Sequence, residues 1–380
     1  MESPPDRSID HALPDSFRGE DNSIFEDEKL KREPIKGRGA TLKIEGRFES
    51  RVREACDDGW VQEELPPLAT TVTAEKAKSV IQRQDSPDLP FAQSLNAYRG
   101  CEHGCIYCYA RPSHGYLDLS PGLDFETKLF AKPDAPELLR AELGKINYRC
   151  EVLALGTNTD PYQPIEREWK ITRRILALLA ECSHPVSIVT KSAMIERDID
   201  LLAELAEKNL VQVFISVTTL DASLARKMEP RASSPKRRLE AMRRLNDAGV
   251  PCGVMAAPVI PFLTDSELEA ILQAAHESGA KAAGYTLLRL PHELKMLFSD
   301  WLETHYPLKA SHVMNRLREM RGGRDNDPDF GSRMRGEGLF SDLLEKRFEL
   351  ASFRLGFNCE RISLDTSRFR SPGRQMDLFY

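Results

Sequence analysis

Three cysteines fall within the eight residues Cys101-Glu102-His103-Gly104-Cys105-Ile106-Tyr107-Cys108, and no fourth follows nearby. Thiolates gathered this closely form a soft ligand set, which selects iron–sulfur clusters, zinc or Cu(I). A structural zinc and a four-iron cluster each take four ligands. With three supplied locally, one metal position stays open to an outside ligand. His103 or His114 could instead complete a zinc site, leaving a zinc-stabilised, non-catalytic nucleic-acid binder as an alternative. The start of the chain, MESPPDRSID, lacks the basic and apolar regions of a secretory leader. A cytoplasmic location is therefore expected, and there a cysteine cluster is metal-binding or catalytic rather than disulfide-bonded. The single cysteines Cys56, Cys150, Cys182, Cys252 and Cys359 read as small buried hydrophobes.

A set of ligands needs elements to hold it. Phe91–Asn96 reads as a short strand that delivers the cysteine loop, and Phe125–Ala131 as another, followed by a helix near Ala135–Gly144. Apolar runs of strand length then recur at Val152–Leu155, Val186–Thr190, Val211–Val217, Cys252–Ala257 and Ala283–Leu288. Helical patterns separate them: Ile171, Ile175, Leu178 and Leu179 share one face, and a second helix starts at Ser234-Pro235 and stops at Gly249. Thr264-Asp265-Ser266-Glu267 has the form of a capping box for a helix that Gly279 closes. Strands alternating with helices predict βαβ units and a parallel sheet. About six units are too few for an eightfold closure, so the expected fold is α/β, a partial (β/α)6-type TIM-like barrel with an N-terminal extension and a helical C-terminal segment. In such folds ligands sit at the carboxyl ends of the strands. Those ends read Gly156–Tyr162, Lys191-Ser192, Ser216–Thr219, Ala257-Pro258 and Arg289, a polar or cationic set suited to a small charged ligand.

The whole chain of 380 residues carries a net charge of −6. Residues 1–30 hold nine acidic residues against three basic, so this segment alone carries that charge and the remainder is neutral. An acidic, Pro- and Ser-containing start poor in large apolar residues reads as disordered. Residues 31–50 are basic and glycine-bearing, a strap over the domain or a phosphate-contacting arm, with the strap favoured. No apolar run approaches the ~20 residues of a membrane span. The expected organisation is a disordered N-terminus over 1–35, an extension over 36–86, a core over 87–324, a helical extension over 325–374 and a separate peptide at 375–380. Residues 226–244 carry eight basic residues, and Arg316, Arg318, Arg321, Arg324, Arg333 and Arg335 form a second stretch. Such stretches neutralise phosphates or simply coat solvated helix faces.

The spacing CxxxCxxC with Tyr107 before the last cysteine resembles the signature of the radical S-adenosylmethionine (SAM) superfamily. Together with NAYRGCEHGCIYCYAR, LGTNTDPYQPIE, VTKS, FISVTTLD, EPRASSPKRRLEAM and AGVPCGVMAAPVIP, the stretch from Pro87 to Arg289 resembles the spore photoproduct lyase-like branch, often described as DNA repair photolyases. The resemblance implies a [4Fe–4S] cluster on Cys101, Cys105 and Cys108, with S-adenosyl-L-methionine on the open iron. It implies a 5′-deoxyadenosyl radical and action on nucleic acid, as repair or modification, with lyase chemistry among the outcomes; a protein or metabolite substrate is the alternative. It further implies that Tyr107 flanks the adenine, that Thr159 and Ser216 contact the cofactor, that Lys191 pairs with the methionyl carboxylate, and that Ala257 lines the adenosine. A flavodoxin or ferredoxin would supply the electron. In true spore photoproduct lyases a hydrogen-donating cysteine occupies the position of Thr157, so reversal of spore photoproduct is not expected of this chain. The end Gln375-Met376-Asp377-Leu378-Phe379-Tyr380 resembles the peptide by which bacterial repair and replication proteins dock on the DNA polymerase sliding clamp, the alternative being a tail packed on its own domain.

Overall fold

The computed structural model describes residues 34–44, 46–48, 68–360 and 363–373. The acidic N-terminus, residues 51–67 with Cys56, and the clamp-like peptide at 375–380 lie outside these residues. Ten strands are described: β1 (Thr71–Ala74), β2 (Ile81–Arg83), β3 (Gln93–Leu95), β4 (Tyr98–Arg99), β5 (Lys128–Ala131), β6 (Leu153–Leu155), β7 (Val186–Thr190), β8 (Val211–Ser216), β9 (Cys252–Val259) and β10 (Ala282–Leu287). Seven of them form one sheet in the order β10-β9-β8-β7-β6-β3-β2, while β1, β5 and β4 form a small second sheet.

Within the large sheet β3 and β6 to β10 are mutually parallel, and only β2 runs against its neighbour. The cause lies in the sequence. Leu153, Leu155, Val186, Ile188, Val211, Val213, Ile215 and Val254 alternate along their strands and are all buried, forming one apolar face. Each such side chain contributes roughly 1.5–3 kcal/mol relative to exposure. Ser187, Val189, Gln212 and Phe214, on the other face of β7 and β8, are half-buried. Helices at Ile171–Glu181, Ile199–Glu207, Pro235–Asp247 and Leu268–Glu277 return the chain between strands. Among the described residues β10 does not pair with β2, so the barrel is open, as expected from the unit count.

The segment after β10 spans that opening. Helices Leu294–His305 and Pro307–Glu319 follow β10, and the segment after them reaches back to the other edge. Gly331 N donates to Asp88 Oδ1 at 2.7 Å and Arg333 is paired with Asp88, ahead of β3, while Arg321 donates to Leu288 O at 2.9 Å, just past β10. After the helix Leu339–Leu355 the chain becomes a belt beneath the strands' amino ends. Asn358 N binds Lys281 O, Asp365 N binds Asn209 O, and Arg370 N binds Cys182 O.

Three local expectations are corrected. Phe125 belongs to a short helix, Leu123–Thr127, and only Lys128–Ala131 is strand, because Phe125 turns fully inward beneath the cysteine loop. The Thr264–Glu267 capping box does not form: Thr264 Oγ1 accepts from Ile260 N at 2.9 Å, while Glu267 accepts from Thr219 Oγ1 at 2.7 Å and Leu220 N at 2.6 Å. Cys182 and Cys252 are buried, but Cys150 is half-buried and Cys359 exposed. No described helix is long and apolar enough to cross a membrane.

Candidate active site

The cysteine loop leaves the small β4 through Gly100 (φ +74°) and is held from below by two fully buried charged residues. Arg111 donates to Cys105 O at 2.9 Å, Gly104 O at 3.1 Å and Gly122 O at 2.9 Å, and pairs with Glu126 at 2.5 Å. A guanidinium has five fixed donors, so one side chain can fix several loop carbonyls at once. Glu126 in turn accepts from Gly39 N at 3.0 Å and Ala40 N at 2.9 Å, which ties residues 38–40 onto the loop. The approach is so close that a Cβ on Gly39 would lie 1.8 Å from Gly104 O. Described residues of 34–44 thus form a strap, with Arg38 donating to Glu126 O at 3.1 Å and Leu68 O at 2.6 Å.

The strand-end segment after β6 supports the loop from the side. Thr159 Oγ1 donates to Gly100 O at 2.6 Å, and Gln163 joins Glu102 N at 2.8 Å to Thr159 Oγ1 at 2.9 Å. Asp160 accepts from Thr190 Oγ1 at 2.7 Å and Lys191 N at 2.8 Å, and lies 3.3 Å from His103 Nδ1. Burial alone would raise the Asp160 pKa, but His103 and these donors more than offset it, and the carboxyl is held below its ordinary range.

Beyond β7 and β8 a second network assembles. Lys191 Nζ lies 2.5 Å from Ser216 Oγ, 3.5 Å from Ala257 O and 3.9 Å from Glu229, and 5.6 Å from the Tyr107 ring centroid. Ala257 O also accepts from Ser216 Oγ at 3.1 Å and Thr218 Oγ1 at 3.0 Å. Buried Glu229 accepts from Thr218 Oγ1 at 2.7 Å, from the Tyr107 hydroxyl, and from buried Arg238, which also donates to Ser216 O at 3.0 Å. Burial pushes the Glu229 pKa up, yet the Arg238 and Lys191 charges outweigh it and bring the carboxyl down to about 2. Burial and the Glu229 charge hold the Tyr107 phenol well above its usual value.

Cys108 packs against the apolar cluster that includes Cys105 and against the one that includes Cys101, and the three thiols act on one another electrostatically. Burial raises all three thiol pKa values; nearby Asp160 and the other two thiols add to this at Cys101, and Glu229 adds to it at Cys105. Thiols in this position become thiolates only beside a cationic centre, and an iron–sulfur core fits that need. Among the described residues no three His, Cys, Asp or Glu side chains converge on a point fit for one metal ion. A four-iron cluster does not require it, since its thiolates sit on different irons. His103 is engaged with Asp160, and His114 Nε2 lies 2.9 Å from Lys128 O.

Tyr107, Lys191, Ser216 and Ala257 are therefore brought together around one network. Thr159 stands apart, its hydroxyl directed at the cysteine loop rather than at Lys191. Arg111, Glu126, Glu229 and Arg238 escaped sequence reading. Their one signal was position: Arg111 lies three residues past the last cysteine, and Glu229 and Arg238 flank the Ser234-Pro235 helix start. The basic stretch 226–244 is largely committed internally, with Arg231 paired to Glu102, Arg237 and Arg244 to Glu196, and Arg238 to Glu229.

An open parallel barrel carrying a three-cysteine loop above its strand ends defines the class. The radical SAM superfamily model matches residues 95–275, from β3 into the helix before β10, and the chain belongs to this superfamily. Its members use a [4Fe–4S] cluster and S-adenosylmethionine. An uncharacterized protein of Mycobacterium tuberculosis (strain ATCC 25618 / H37Rv) is 39% identical over 234 residues, 61% of this chain and 68% of that protein. One from Methanocaldococcus jannaschii is 29% identical over 243 residues, 63% of this chain and 86% of that protein. Among solved structures, spore photoproduct lyase complexed with dinucleoside spore photoproduct has the same fold, with a TM-score of 0.53 and 15% identity over 75% of this chain and 80% of that one. A variant of that enzyme with bound AdoMet and the dinucleoside aligns at 0.52 over the same shares, also at 15% identity.

Proposed function

We propose that this radical SAM enzyme acts on nucleic acid, in repair or modification. Cys101, Cys105 and Cys108 would hold the cluster, and the Lys191–Ser216–Ala257–Tyr107 group would hold S-adenosylmethionine. The single observation that carries the cofactor assignment is the convergence of these four residues from β7, β8, β9 and the cysteine loop on one buried network. When bound, the pair supplies one-electron cleavage of a carbon–sulfur bond and hydrogen-atom abstraction. The chain's own contribution is positional. Lys191 offers an ammonium for a carboxylate. Glu229 and Arg238 fix the hydroxyls of Thr218 and Tyr107 around it, and Arg111 with Glu126 sets the loop that bears the thiols. Thr159 braces that loop through Gly100, one step removed from the cofactor contact the family pattern gives it.

Nucleic acid is favoured as substrate because the matched fold is that of a lyase complexed with a dinucleoside. Thr157 stands at the strand end after β6, where its hydroxyl accepts from Asn96 Nδ2 at 3.0 Å. A hydroxyl is a poor hydrogen-atom donor, so spore photoproduct itself is not the proposed substrate. Residues 375–380 are proposed to dock on a sliding clamp, and a flavodoxin or ferredoxin to donate the electron. Reducing the reconstituted protein anaerobically with S-adenosylmethionine and deuterated oligonucleotides tests the substrate class. Deuterium should enter 5′-deoxyadenosine. Transfer from lysate peptides or small metabolites, with none from DNA or RNA, would overturn the reading.

A further inference from the structure

Buried arginines in this protein place their donors on acceptors. Arg111 and Arg238 meet carboxylates, and Arg321 donates to Arg333 O at 2.6 Å and Leu288 O at 2.9 Å. Arg289, just past β10, departs from this. It is half-buried, its Nε is buried with no acceptor, and its guanidinium's contact is Met334 Sδ at 3.8 Å. A thioether is a weak acceptor. The carboxylates in its vicinity are otherwise engaged: Asp88 holds Arg333 and Gly331 N, and Asp327 holds Ser332 Oγ at 2.6 Å and Asp329 N at 2.9 Å. Burial first, then the like charge of Arg333, lower the Arg289 pKa, as for a cation short of a counter-ion. Leaving a desolvated guanidinium unpaired is costly, so a fold that keeps one has a partner to bring to it.

The position identifies that partner. Tyr109, directly after the third cysteine, is electrostatically coupled to Arg289. Its hydroxyl donates to Thr157 O, at the strand end beside the cysteine loop, and the residue is 53% exposed. An exposed aromatic residue on the cysteine loop and, at the end of β10, a guanidinium whose Nε lacks an acceptor offer stacking for a base and a donor for a phosphate. We propose that Arg289 is an anion-binding residue of the substrate site, taking a phosphodiester of a nucleic-acid strand whose adjacent base lies on Tyr109. This rests on the nucleic-acid reading above.

The test titrates the full-length, anaerobically reconstituted protein with a labelled single-stranded DNA oligonucleotide between about 50 and 200 mM salt. Arg289→Met should weaken binding about tenfold or more at the low-salt end, with the cluster's absorbance matching wild type. The slope of log affinity against log salt should fall by ~0.7, the loss of one single-strand phosphate contact. Arg289→Lys should keep the slope and lose part of the affinity, since it keeps the charge without the fork. If the methionine variant loses the absorbance, Arg289→Gln makes the same comparison. Wild-type binding that every variant reproduces would overturn the assignment of Arg289 alone. Binding retained by the variants while an acidic peptide is released would give Arg289 to a carboxylate and overturn it as well. A wild-type protein that binds no oligonucleotide, or binds with no salt dependence, would overturn both this inference and the nucleic-acid reading.

Discussion

Replacing Glu229 by Gln removes one negative charge and keeps the shape of the side chain. The consequences follow from burial: Glu229 is 2% exposed and Arg238 1%. Arg238 would lose its carboxylate in a site that water does not reach, and because the amide keeps only one acceptor oxygen, either Arg238 or the Tyr107 and Thr218 hydroxyls would face an N–H donor. The Glu229 pKa lies at about 2 against an ordinary 4.5, which corresponds to roughly 3 kcal/mol of stability at neutral pH. Removing one partner of a buried ion pair gives a matching ~3–5 kcal/mol. A depressed carboxylate pKa stabilises the folded state above pH 4.5 and loses that contribution as pH falls from 4.5 toward 2. The E229Q protein should therefore melt ~6 °C or more below wild type at pH 7, at about 2 °C per kcal/mol. The gap should close as both are acidified through that window. Paired melting curves from pH 7 down to the lowest pH at which wild type stays folded provide the assay. A neutral-pH loss below about 1 kcal/mol, or a gap that widens on acidification, would refute the reasoning.

Two further outcomes follow from geometry. Gly39→Ala puts a methyl 1.8 Å from Gly104 O, a backbone atom, so strap or cysteine loop must move; the expected loss is ~1–3 kcal/mol with lowered iron content. Gly115→Ala, whose Cβ meets only Phe48 Cδ2 at 3.7 Å, should leave iron content at the wild-type level. His184 is buried among Tyr148, Pro185 and Phe369, and burial brings its pKa down to about 4 from 6.5. Its folded pKa is depressed, so protonation opposes folding, and stability present above pH 6.5 is lost between 6.5 and 4, by up to ~3 kcal/mol. His184→Gln should flatten that part of the pH–stability curve; a slope equal to wild type would contradict the assignment.

The parallel sheet was legible because apolar runs of strand length alternate with helical patterns. The observed strands Val186–Thr190 and Val211–Ser216 match two of those runs almost residue for residue, their alternate residues Val186, Ile188, Val211, Val213 and Ile215 forming the buried face. The cysteine loop was legible because its three cysteines are neighbours in sequence. Lys191, Ser216 and Ala257 stood out as strand-end residues on one rim, whereas Tyr107 and the cofactor roles of all four came with the family resemblance. What stayed hidden were charges that fold inward. Arg111 meets Glu126 fifteen residues away and Arg238 meets Glu229 nine away, and in sequence a buried arginine looks like a solvated one. Hence the basic run at 226–244 read as a surface stripe although Arg238 lies in the core. Phe125 was read as strand because an inward aromatic on a single helical turn carries no period to distinguish it.

The most direct test of the central claim is the visible absorbance of the anaerobically reconstituted protein, read alongside 5′-deoxyadenosine release after reduction with S-adenosylmethionine. Wild type should be brown, carry about four irons and four sulfides, and release the nucleoside; Cys101→Ala, Cys105→Ala and Cys108→Ala should each lose both signals. A colourless wild-type protein, or any one of these variants that keeps pigment and turnover, would contradict the account.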